Sequence, residues 1–198
     1  MIIKILFYLL GVFLFLFIFW KKLKDDYIAN QIFGSAFLVV FAVLLTSILS
    51  TKFYPQLWFW GNCLAVTLAF TLSHLRFKFK TLELFEVLTV SLLPWFALFF
   101  LADGVASGRT SSYLGFIVIF LFAYLFFVLE KHYKRFAWYK SGRIGFTGLT
   151  TLGFLFLFRT AVAVTGFDVL SFGVSWDALA SGIVAFICFL IVYNLAKT

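Results

Sequence analysis

The sequence predicts an all-α polytopic membrane protein in which residues 1–198 form a single seven-helix transmembrane domain. Three observations carry that expectation. The chain is 64% hydrophobic and only 12% charged, more apolar surface than a soluble domain of this size hides. The apolar residues fall into long runs, each long enough for a helix to cross a bilayer. The runs also lack apolar/polar alternation, which excludes a closed membrane β-barrel.

The runs are Ile2–Trp20, Ile32–Leu49, Leu57–Ser73, Leu84–Ala102, Ser112–Leu129, Ile144–Val164 and Ala178–Ala196. The first follows Lys4 as a signal peptide would after a basic start, but no small-residue cleavage site follows. Lys21, Lys22 and Lys24 come next, so the run is expected to stay as a span. The third is led by Tyr54, Trp58 and Trp60, an aromatic belt, with Asn62 just inside it. The fourth has Glu86 near its start and Pro94 in its middle, where a kink is expected. It ends at Asp103-Gly104, and a Gly/Ser-rich loop with Arg109 leads to the fifth. The sixth carries Arg159, and the loop after it brings Asp168 and Asp177.

Orientation follows from the basic residues. Twelve of the sixteen Lys and Arg lie in the first-to-second, third-to-fourth and fifth-to-sixth loops or at Lys197, whereas Lys4, Lys52 and Arg109 lie on the other side. The positive-inside rule then puts the N-terminus outside and the C-terminus in the cytoplasm of a plasma (inner) membrane protein. The same loop placement accounts for the net charge of +8 without invoking nucleic acid, for which no basic, aromatic-interleaved soluble surface exists.

Arg159 is the one Lys or Arg well inside an apolar run, and a guanidinium does not shed its charge. At membrane depth it needs an anionic or polar partner. On a helical wheel Gly145, Gly148, Arg159 and Ala163 share one face, where small residues let a neighbouring helix approach closely. Two readings stay open: Arg159 points into a polar cavity or at a lipid headgroup, or it snorkels to the surface. With the orientation above, Arg159 lies about six residues, roughly 9 Å, below the outer end of its span. Its partners there include a lipid phosphate, clamped together with Arg109, or Asp103 as a structural bridge. A desolvated Asp103 could also serve as a general base. Asn62 is expected to glue helices, and His74 and His132 to be interfacial. Cys63 and Cys188 sit inside apolar runs as small hydrophobes. No metal-ligand spacing, phosphate loop or Ser/His/Asp arrangement is present, and no cofactor is expected.

Four segments, Tyr8-Leu-Leu-Gly11, Phe53 to Gly61, Arg76 to Glu86, and Lys140 to Gly148 followed by Arg159, together resemble the prolipoprotein diacylglyceryl transferase family. Tyr8-Leu-Leu-Gly11 is similar to its Tyr-Gly opening, and Phe53-Tyr-Pro-Gln-Leu-Trp-Phe-Trp-Gly61 to its approach to the third span. Arg76 through Glu86, RFKFKTLELFE, resembles its basic loop before the fourth span. Lys140-Ser-Gly-Arg-Ile-Gly-Phe-Thr-Gly148 followed by Arg159 resembles its Gly-rich sixth span. The resemblance implies seven spans and transfer of a diacylglyceryl group from phosphatidylglycerol to the lipobox cysteine of a lipoprotein precursor. Catalysis would fall on Arg159 and Asp103, and lipid binding on Arg159, Arg109, Trp60 and Asn62. The chain departs from the family at Trp60-Gly61-Asn62, where the family has His-Gly-Gly. It departs again at Phe99–Asp103 in place of Gly-Arg-x-Gly-Asn, and at Ala163 in place of Glu; the family's periplasmic head is missing. A non-catalytic lipid-binding or helper protein on the same scaffold is therefore the alternative. A small transporter is the third reading, with no repeat symmetry to favour it.

Overall fold

A computed structural model describes residues 2–54, 57–136, 139, 144–165 and 176–197. Asp168, and Lys140 to Arg143 of the Gly-rich segment, lie outside the described residues. The described chain is helical throughout: α1 (Ile2–Leu23), α2 (Ala29–Phe53), α3 (Trp58–Phe77), α4 (Thr81–Ser107), α5 (Thr110–His132), α6 (Phe146–Thr165) and α7 (Asp177–Lys197). A single 3₁₀ turn, Tyr133–Arg135, follows α5.

Among the described residues seven α-helices form, and six of them are long and apolar enough to cross a membrane. The exception is α3, expected as a span of equal standing. Its two indoles, Asn62, Thr67, Thr71, Ser73, His74 and Arg76 dilute its hydropathy. Thr67 and Thr71 turn their hydroxyls back onto the carbonyls of Cys63 and Thr67 at 2.8 and 2.9 Å, which hides those donors within the helix. The helices outrun the apolar runs at several ends. α4 is continuous through Pro94 to Ser107, and Gly108, at φ +69°, turns the chain into α5.

α4 runs antiparallel to both α1 and α3, as their side-chain partners record. Between α1 and α4, Lys4 meets Asp103 and Tyr8 stacks on Phe99, and Tyr27, in the connection after α1, bonds Glu83 in the first turn of α4. Between α3 and α4, Trp58 stacks on Phe99 and Phe70 meets Phe85. The fold therefore has two ends. One gathers Lys4, Asp103 and Ser112; the other gathers Lys22 with Glu130, and Tyr27 with Glu83. At that second end burial and the neighbouring Glu83 hold the Tyr27 phenol above its ordinary pKa.

The most enclosed helix is α4, which packs against α1, α5, α6 and, more loosely, α3. On one side Phe15, Phe19 and Trp95 anchor a core shared with α2. On the other, Leu93, Ala97 and Phe100 pack with α5, α6 and α7. Outward faces carry exposed Phe13, Phe37, Phe41, Phe120 and Phe186, as a lipid-facing surface requires. The small-residue face expected on α6 is used. A Cβ on Gly148 would lie 3.0 Å from the Glu86 Cα of α4, so the two backbones touch there. Gly145 precedes the helix at φ +107°, and its N–H donates to Glu86 at 2.6 Å.

These contacts separate two glycines of like sequence context. Gly148→Ala pushes backbone against backbone and should cost about 1–3 kcal/mol. Gly182→Ala, whose Cβ would meet only Thr160 at 3.7 Å, should be neutral or slightly stabilising. Thermal unfolding of the two variants in one detergent measures the difference.

Candidate functional site

The site is built where α6 and α7 lie antiparallel. Thr160 faces Gly182 and Gly153 faces Phe189, and the Arg159 side chain spans the offset to Asp177, the first residue of α7. Arg159 is 1% exposed and Asp177 2%. Arg159 Nη2 donates to both carboxylate oxygens, at 2.8 and 2.6 Å. The indole N–H of Trp60 on α3 donates to the same carboxylate. Asp177 opens its helix, where the backbone dipole favours a negative charge.

Aromatic rings flank the guanidinium. Its central carbon lies 3.4 Å from the Phe59 ring centroid and 5.4 Å from that of Trp60. Trp60 in turn stacks with Phe156 and leans on Trp176. Cation–π contact of a desolvated guanidinium is worth about 2 kcal/mol or more, which helps offset the dehydration of a buried ion pair. The snorkelling alternative is thereby overturned: Arg159 is the largest fully buried side chain among the described residues.

Below this cluster lies a cavity of about 450 Å³ between α3 and the α4–α7 group. Arg159, Trp60 and Trp58 stand at one end, and Phe70, Phe85 and Cys188 at the other. Contrary to expectation it is not polar. Leucine, valine and phenylalanine make most of its wall, and Arg159 is the one charged residue lining it among the described residues. The cavity exists because α3 is held closely by α2 but only loosely by α4. Leu64, on the cavity wall, is 66% exposed, so the space opens sideways between helices.

Comparisons of this chain with family models, with curated proteins and with solved structures find no match.

The residues singled out from the sequence separate into two groups. Arg159, Trp60 and Asn62 all line the cavity. Asn62 also ties helices, accepting from Ser47 at 3.0 Å and donating to the Trp58 carbonyl at 2.8 Å. Asp103 belongs elsewhere, accepting from Lys4 at 3.0 Å and Ser112 at 2.8 Å. The expected Asp103–Arg159 bridge is therefore replaced by Asp177–Arg159. Asp103 already has a cation on α1, while α7 delivers a carboxylate directly to Arg159. Arg109 is exposed at the start of α5, near Asp103, with the α1–α4–α5 end rather than beside the ion pair. His74 and His132 bond the carbonyls of Phe79 and Val128 at 2.7 and 2.8 Å. Among the described residues no cluster of His, Cys, Asp and Glu could hold a metal ion.

Breaking the pair from one side leaves an uncompensated buried charge, at about 3–5 kcal/mol, whereas an apolar replacement of both partners is near neutral. Arg159→Met alone and Asp177→Leu alone should each destabilise strongly, and the double variant should recover most of the loss. A double-mutant cycle of unfolding midpoints measures it.

Proposed function

We propose that this protein holds one membrane lipid, with an acyl chain in the α3–α7 cavity and its polar end at the Trp60–Arg159–Asp177 cluster. The carrying observation is an apolar, sideways-open cavity that terminates in a single buried polar constellation. From Trp58 to Phe70 the wall of α3 covers about 18 Å at ~1.5 Å per residue. Half of a ~30 Å hydrocarbon core is ~15 Å, the reach of one leaflet's chains. The space thus matches one acyl chain rather than a water-borne solute.

The distribution of Lys and Arg supports the orientation that goes with this reading. All seven helices cross the membrane, α3 included because it lies alongside α2 and α4 over its length. The N-terminus is outside, the C-terminus cytoplasmic, and the ion pair in the outer leaflet of the plasma (inner) membrane.

The catalytic version, diacylglyceryl transfer from phosphatidylglycerol to a lipoprotein precursor, rests on the sequence resemblance. The geometry favours lipid holding without transfer. Asp103, the candidate base, is engaged by Lys4 and Ser112, and the Arg159 charge is answered by Asp177. Purified protein given phosphatidylglycerol and a lipobox peptide should therefore add no mass to the peptide, beside an active transferase control.

Lipid holding is tested by photocrosslinking in a bilayer, with a diacyl lipid carrying a diazirine on one chain. Crosslinks should map to cavity residues such as Val66, Leu92 and Leu155, and Val184→Trp, which plugs the cavity, should remove them. Crosslinks confined to outward residues such as Phe41, Phe120 and Ile183, unchanged in Val184→Trp, would overturn the reading.

A further inference from the structure

The polar end of the cavity restricts the class of headgroup that fits, an inference that rests on the lipid-holding reading above. We propose that the preferred occupant is an uncharged lipid, an apolar chain ending in neutral hydroxyl or ester oxygens, and not an anionic phospholipid.

The argument is one of charge. Among the described residues the cavity wall carries a single formal charge, that of Arg159. That charge is met at 2.6 and 2.8 Å by both oxygens of Asp177, and the two side chains are 1% and 2% exposed. The constellation is electrically balanced before any ligand enters. A phosphodiester placed there would bring a second anion next to the Asp177 carboxylate, in a medium where like charges repel strongly. It would meet a carboxylate already held by the Arg159 guanidinium and the Trp60 indole. The face of the guanidinium is covered by Phe59, so a phosphate has no approach from that side. Of the other cations of this end, Lys4 and Arg109 go with Asp103, Lys52 lies over the Phe53 ring, and none of the three lines the cavity.

A neutral head meets none of these penalties. Hydroxyl or ester oxygens need a polar margin rather than a net charge, and Trp60, Asn62 and Arg159 supply that margin on the wall. Glycerol diesters and long-chain alcohols share this chemistry and differ in chain number.

The test is native mass spectrometry of the full chain released from neutral detergent, titrated separately with dioleoylglycerol, oleyl alcohol and dioleoyl phosphatidylglycerol. The neutral lipids should bind about tenfold or more tightly than phosphatidylglycerol, the order expected when a second buried charge is avoided. The better of the two neutral probes reports whether one chain or two are held. Val184→Trp should abolish the preference, and Asp177→Asn, which leaves Arg159 unbalanced, should shift it towards phosphatidylglycerol. Tighter binding of phosphatidylglycerol that Val184→Trp abolishes would overturn the headgroup assignment and leave lipid holding intact. Binding of every probe unaffected by Val184→Trp, or no binding at all, would remove lipid holding and this inference with it. The wild-type ranking alone decides the assignment if Asp177→Asn fails to fold.

Discussion

The structure depends on one buried ion pair. A guanidinium cannot neutralise itself by losing its proton, so a helix that buries one among aromatic rings must be answered by a fixed anion. Asp177 gives that answer from the next helix. The pair joins α6 to α7, and through the Trp60 indole it also reaches α3. α3 has few other attachments to this half of the molecule. The bond that neutralises Arg159 thus also holds the far wall of the cavity at its distance.

The cavity follows from the unequal grip of the helices on α4. Where α6 meets α4, Gly148 lets the backbones touch. Where α3 meets α4, Trp58 stacks on Phe99 with ring centroids 4.3 Å apart, and Phe70 meets Phe85. Rings of that size keep two helices apart at both ends and leave the length between them unfilled. A cluster of large side chains is thus compatible with a void, because packing density depends on shape complementarity and not on bulk alone.

Much of this was legible in the residues. Long apolar runs fixed the helices to within a few positions, because a bilayer leaves few alternatives to a helix. The solitary Arg159 announced a buried polar centre, and the glycines on its face announced a close neighbour. Legibility ended where tertiary pairing began. Asp103 and Asp177 both lie near helix ends at the same level, and depth alone does not choose between them. The deciding signal was adjacency: Asp177 opens the helix that follows the one carrying Arg159, so an antiparallel pair brings it within reach of the long arginine side chain. Asp103 had a competitor in Lys4, nearly a hundred positions away, which no local pattern reveals. The apolar character of the cavity was equally hidden, since it arises from the spacing of α3 and α4 and not from composition.

The same ion pair has a consequence for how the chain enters the membrane. An arginine near the middle of a segment costs about 2.5–3.5 kcal/mol when that segment leaves the translocon alone. Its counter-charge is made 18 residues later, at the head of the following segment. Insertion of α6 and α7 as one hairpin is thus the cheaper route, because the charge on the first is answered only when the second is beside it.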